Sequence, residues 1–108
     1  MEIYPEFKLW FTDDDGDYVF GEGTMALLQE IDETGTVSEA AENTEMSYRY
    51  ALDKIQTVEE RLGTTLVERK RGGSEGGGAS LTDDGKTMLR EYDEVRRSID
   101  DCVGSIQI

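Results

Sequence analysis

The sequence predicts an α+β fold: a winged helix-turn-helix, preceded by a β-hairpin and followed by a long helix. Three observations carry this. Two short helical patterns, each opening on a cap residue, lie between Gly35 and Gly63. A Gly-rich, locally basic stretch follows, flanked by strand patterns at Leu66-Val67-Glu68-Arg69 and Ala79-Ser80-Leu81-Thr82. An apolar seam at heptad spacing then runs from Met88 to Cys102.

In chain order, residues 6–12 alternate, with Phe7, Leu9 and Phe11 on one side and Lys8, Trp10 and Thr12 on the other. This is the period of a half-buried strand. Asp13-Asp14-Asp15-Gly16-Asp17 is a turn, and Tyr18-Val19-Phe20 begins a return strand. Set against a calcium-binding helix-loop-helix, with Gly16 at the sixth loop position, Asp13, Asp15 and Glu22 fall on ligand positions. Phe11, however, falls on the first, where Asp is needed. A plain Asp-Gly turn is therefore expected, with no metal or cofactor. Gly21-Glu22-Gly23 is too short to signal a nucleotide site.

Thr24 is the expected cap of the first helix, whose apolar residues are Met25, Leu27, Leu28 and Ile31 and which stops at Thr34-Gly35. The second helix opens with Thr36 and Glu39 as a capping box, each side chain reaching the other's amide. Ala40 and Ala41 allow close helix approach. Ser47 caps the third helix, where Ala51, Ile55, Val58 and Leu62 share an apolar face. Gly63 ends it as a left-handed residue. Thr82 caps the last helix, with Asp83 and Asp84 in its first turn favoured by the dipole. The expected division, within one domain, is 1–23 hairpin, 24–82 winged helix-turn-helix, and 83–108 dimerisation helix and tail.

The net charge of −14 is unevenly spread. Residues 1–46 hold one basic and 13 acidic residues, and residues 72–108 hold four and eight. Only residues 47–71 are net positive, with six basic and four acidic. Four Lys stand against 25 acidic residues, a balance expected of a halophilic archaeon's salt-adapted cytoplasm. One Cys and no His exclude an intrachain disulfide, a zinc finger and a His-based triad, so an enzyme is not expected. No apolar run is long enough to span a membrane, and the start Met1-Glu2-Ile3-Tyr4-Pro5 lacks the features of a signal peptide. A cytoplasmic protein is expected.

A helix-turn-helix lays its second helix in the major groove of double-stranded DNA. Ser47, Tyr48, Arg49, Tyr50 and Lys54 occupy its first two turns, and Arg can pair with guanine while Tyr or Ser meets phosphate or a base edge. A solvated face is the bland alternative for Arg49 and Lys54; the local positive charge favours DNA. Arg69, Lys70 and Arg71 at a glycine-rich tip suit phosphate. Arg61 is expected to pair with a nearby acid, and Arg90, Arg96 and Arg97 to stay solvated beside acids. Met88, Tyr92, Val95, Ile99 and Cys102 are the expected seam, part packing on the first helix and part pairing in a two-fold homodimer. Cys102 reads as a small buried hydrophobe.

Residues from about Phe7 to Tyr92 resemble the N-terminal winged-helix domain of the ModE molybdate-responsive regulators, itself related to LysR-type regulators. The resemblance rests on Leu28, Ile31, Gly35-Thr36-Val37-Ser38, Ala40-Ala41, Met46-Ser47-Tyr48-Arg49 with Ala51, and Leu66-Val67-Glu68-Arg69. It continues through Gly72-Gly73, Gly76-Gly77-Gly78-Ala79, and Leu81-Thr82 with Gly85. The glycine-rich wing is its specific part. It implies a homodimeric transcription regulator with the Ser47 helix in the major groove and the wing on the backbone. Full family members continue into an oxyanion-binding portion that holds molybdate or tungstate; its absence here is expected, and no effector is assigned. Leu52 stands where the family pattern implies an aromatic residue, and Glu75 interrupts a loop implied to be neutral or basic. The rival reading is a winged-helix module that docks a basic protein partner through its acidic surface.

Overall fold

The computed structural model describes residues 1–70 and 77–106. Its elements are β1 Trp10–Thr12, β2 Tyr18–Gly21, α1 Glu22–Thr34, α2 Val37–Asn43, α3 Tyr48–Leu62, β3 Val67–Arg69, β4 Ala79–Leu81 and α4 Asp83–Gly104. The fold is the expected α+β winged helix, with a long C-terminal helix.

The N-terminal alternation holds: Phe7, Leu9 and Phe11 are half-buried, while Lys8, Trp10 and Thr12 are exposed. The hydrogen-bonded strand is shorter than the pattern. β1 pairs antiparallel with β2 as Trp10↔Gly21 and Phe11↔Phe20, and an irregularity after Phe11 sets Thr12 opposite Tyr18. Asp13 builds the turn, its Oδ1 accepting the amides of Asp15 at 2.9 Å and Asp17 at 3.0 Å. Gly16, at φ 82, supplies the left-handed step. The exposed carboxylates of Asp13, Asp15 and Asp17 lie within 4.8 Å of one another, on a turn between strands.

α1 begins two residues before the expected Thr24 cap. Its N-cap is Gly21, with no side-chain cap. Thr24 lies inside the helix, 1% exposed, facing the core. Gly21 is crowded, since a Cβ there would meet the Tyr18 hydroxyl at 3.0 Å; the strand therefore passes directly into the helix. Gly35, at φ 78, ends α1, its amide donating to Ile31 at 2.9 Å. The Thr36 box is half formed. Its hydroxyl accepts the Glu39 amide at 3.1 Å, but the Thr36 amide donates to the Thr34 hydroxyl at 3.4 Å rather than to Glu39.

The turn between α2 and α3 closes with Met46 N–H donating to Ala41 at 2.8 Å and with Glu45 at φ 59. Ser47 Oγ accepts the Tyr50 amide at 3.0 Å. Ala51, Ile55 and Val58 are buried as their spacing predicts, and Gly63, at φ 70, terminates α3. The core joins Phe20, Leu27, Leu28, Ile31, Ala40, Ala51 and Leu66.

Thr82 fixes the start of α4. Its hydroxyl accepts the Gly85 amide at 3.0 Å and donates to the Thr65 carbonyl at 2.6 Å. The heptad seam then splits. Met88 packs on the core, and Tyr92 is 3% exposed within it. The Tyr92 ring lies 5.6 Å from that of Phe11 and 6.3 Å from that of Phe20, which removes Tyr92 from the dimer seam. The hairpin, which periodicity along α4 cannot register, covers that face. Farther along, Val95 is exposed and Ile99 half-buried. Cys102 is exposed rather than buried.

Candidate nucleic-acid interface

The N-terminal half of α3 projects from the body. Its cap places Ser47 at the tip, and helical spacing turns Tyr48, Arg49 and Tyr50 outward, all exposed, because Ala51 faces the core. Arg49 is 87% exposed and, among the described residues, holds only a loose pair with Asp53 at 3.7 Å.

Lys54 is placed differently from the sequence reading. It is half-buried, and its stem lies across α1 at Gly23, where a Cβ would meet Lys54 Cε at 3.0 Å. Its ammonium sits 5.5 Å from the centre of the Tyr50 ring, a cation-π arrangement. Lys54 thus buttresses Tyr50. Among the described residues Arg61 meets no acid: its Nη1 donates to the Val19 carbonyl at 3.2 Å and its guanidinium lies 5.7 Å from the Tyr18 ring. Arg96 bridges Asp93 and Asp100, and Arg97 meets Asp93.

The second arm is the wing. β3 and β4 pair antiparallel as Val67↔Leu81, Glu68↔Ser80 and Arg69↔Ala79, and the Lys70 amide extends the ladder to Gly78 at 2.9 Å. Burial ends at Val67 as β3 leaves the body: Glu68 and Arg69 are exposed, with Lys70 exposed beyond them. Arg71, the third expected phosphate contact, lies outside the described residues. Between α3 and the wing runs an open groove of about 520 Å³, lined by Arg49, Asp53, Gln56, Glu59 and Arg69 among others. The fold thereby brings Arg49 and Arg69, twenty positions apart in sequence, to one groove.

Sequence reasoning missed Gln56 and Glu59. Gln56 stands seven residues after Arg49, on the same helical face, and spacing could have found it. Glu59 gave no such signal, because its partners are backbone amides: Leu66 at 2.7 Å and Val67 at 3.2 Å.

The comparisons with known proteins agree with this geometry. Residues 23–86 match the family described as bacterial regulatory helix-turn-helix protein, LysR family. The chain is 36% identical over 74 residues to the transcriptional regulator ModE of Haemophilus influenzae, covering 68% of this chain and 29% of the relative. It is 38% identical over 69 residues to the DNA-binding transcriptional dual regulator ModE of Escherichia coli K12, covering 64% and 26%. It is 32% identical over 87 residues to the molybdenum-pterin-binding protein MopB of Rhodobacter capsulatus, covering 81% and 32%. The chain thus spans about a third or less of these relatives.

Two solved structures share the fold. ArgP of Mycobacterium tuberculosis superposes with a TM-score of 0.60 at 20% identity, over 77% of this chain and 29% of that one. Full-length CbnR, solved with its target DNA, superposes with a TM-score of 0.56 at 23% identity, over 75% and 28%. With the profile match covering both helices of the motif and the wing, this chain belongs to the LysR-type regulatory helix-turn-helix family.

Proposed function

We infer that the chain is the DNA-reading part of a homodimeric, non-enzymatic transcription regulator acting in a salt-rich cytoplasm. The observation that carries this is the groove between α3 and the wing, which sets Arg49 and Arg69 on its walls. Its similarity to the ModE regulators supports the same role. Ser47, Tyr48, Arg49 and Tyr50 enter the major groove, Lys54 steadies Tyr50, and Arg69, Lys70 and Arg71 meet phosphate. The hairpin (1–23) braces the reading unit (24–82), and the stretch 83–108, which holds α4, supplies the dimer contact through Val95, Ile99 and Cys102. No effector is assigned.

The net charge of −14 shapes the binding. About 6–10 phosphate contacts ordinarily lose roughly 10³–10⁵ in affinity between about 50 and 200 mM salt. A protein built for concentrated salt depends less on counterion release, and cations screen its own acidic flanks. The test is selection from a random duplex pool, followed by fluorescence anisotropy on the selected and a scrambled duplex at about 0.2 M and about 2 M potassium chloride. Selective binding that survives the higher salt is expected. A steep loss with salt removes the salt-adapted reading, and no selectivity at either salt removes the DNA reading.

The exposed carboxylates of Asp13, Asp15 and Asp17 favour one rival, a module that docks a basic protein through its acidic face. Arg49→Glu separates the two. It abolishes duplex selection under the first reading and leaves partner capture intact under the second.

A further inference from the structure

The wing is fastened at two points, and the two differ chemically. β4 is held to the body by backbone, the Ala79 amide donating to the Gly35 carbonyl at 2.7 Å, and the Thr82 amide closes the base of the ladder on the Leu66 carbonyl at 2.9 Å. The lead-in to β3 is held by a side chain. Glu59 Oε2 accepts the amides of Leu66 at 2.7 Å and of Val67 at 3.2 Å. Among the described residues this is the one side-chain hydrogen-bond link between α3 and β3.

The position is an unfavourable one for a carboxylate. Glu59 lies near the C-terminal end of α3, which stops at Leu62, and the helix dipole disfavours negative charge there. Glu59 also lines the groove that the proposed duplex would enter, where a free carboxylate would repel phosphate. Its two charge-assisted bonds offset part of both costs, since backbone donors stabilise one carboxylate oxygen. They also fix where β3 leaves the body, and so where Arg69 and Lys70 stand relative to Arg49.

We propose that Glu59 is a positioning residue that sets the wing against the reading helix, so that both arms meet one duplex in register. It touches no DNA itself and acts through Arg69 and Lys70. The inference rests on the DNA reading above.

The test is a double-mutant cycle on the selected duplex. One arm is Glu59→Met, which keeps the length of the side chain but leaves the Leu66 and Val67 amides without their acceptor. The other is Arg69→Gln with Lys70→Gln. The expected result is that Glu59→Met weakens binding by about tenfold and lowers the salt slope, as loss of phosphate contacts would. Wing neutralisation does the same, and combining the two adds little. Preference for selected over scrambled sequence at the bases under α3 stays. Multiplied losses in the combined variant, or an unchanged salt slope in Glu59→Met, overturn the role.

Thermal unfolding of each variant confirms that binding is measured well below its midpoint. If Glu59→Met does not fold, Glu59→Asp keeps the charge and withdraws the carboxylate by one methylene, and the same cycle is read. A wild-type chain that selects no duplex removes both this inference and the reading beneath it; multiplied losses remove this inference alone.

Discussion

The Tyr92 hydroxyl donates to the Leu9 carbonyl at 3.0 Å, joining residues 83 positions apart. It ties the last helix to the lead-in of the N-terminal hairpin and stacks the Tyr92 ring among Phe11 and Phe20. Tyr92→Phe leaves that carbonyl without its partner and costs about 1 kcal/mol, a fall of roughly 4–8 °C in melting temperature for a domain of this size. Under the proposed homodimer, its self-association measured by sedimentation stays unchanged, because the side chain faces its own core.

The same residue predicts a pH effect. Burial, with the Glu22 carboxylate nearby, raises the Tyr92 phenol above its ordinary value, although Arg96 opposes this. The folded chain therefore holds that proton more tightly than the unfolded chain. The contribution to stability is fully present below about pH 10 and is lost as pH rises through the folded value. Denaturant titrations from pH 8 to about 11 are expected to show a decline that is shallower in Tyr92→Phe.

Gly85 carries the tightest contact of any glycine for which a contact is described. A Cβ there would stand 2.3 Å from the Leu66 carbonyl oxygen, which already accepts the Thr82 amide. Gly85→Ala forces α4 away from the wing base and costs about 1–3 kcal/mol. Equilibrium unfolding in urea reads the loss directly, and a change below about 0.5 kcal/mol contradicts the geometry.

Cys102 is exposed on the outward part of α4. At low protein concentration it reacts with a thiol reagent as fast as a free peptide thiol. Where the chain dimerises through Val95 and Ile99, labelling slows as concentration rises. Rates independent of concentration, while sedimentation shows a dimer, place the dimer contact elsewhere.

Glu45, at φ 59, occupies a left-handed backbone position in the turn before α3. Glycine adopts that conformation without the Cβ penalty, so Glu45→Gly gains up to about 1 kcal/mol, less the larger entropy of its unfolded chain. It also removes a negative charge beside the reading helix. Higher melting temperature and tighter duplex binding are expected together.

Local chemistry made most of the fold legible. The caps at Thr36, Ser47 and Thr82 bond as their spacing predicts, and Gly35 and Gly63 take the left-handed stops. Residue patterns failed where a partner lies far along the chain. The heptad at Met88 and Tyr92 reads the same whether a symmetry mate or the hairpin covers it. Arg61 finds a carbonyl 42 residues away instead of an acid, because a guanidinium near a strand end can satisfy bare backbone. Thr24 has the composition of a cap, yet the chain had already turned at Gly21. In the site, exposure of Tyr48 and Arg49 followed from helical phase, whereas the roles of Lys54 and Glu59 depend on contacts with Gly23, Leu66 and Val67.

The bond from the Ala79 amide to the Gly35 carbonyl has a kinetic meaning as well. It crosses from the wing to the bend between the first two helices, so that amide becomes solvent-accessible only when the wing lifts from the body. Its hydrogen-exchange rate is therefore a clock for wing opening, separate from global unfolding. Duplex binding that engages the wing slows that clock, whereas binding through the reading helix alone leaves it running at its free rate.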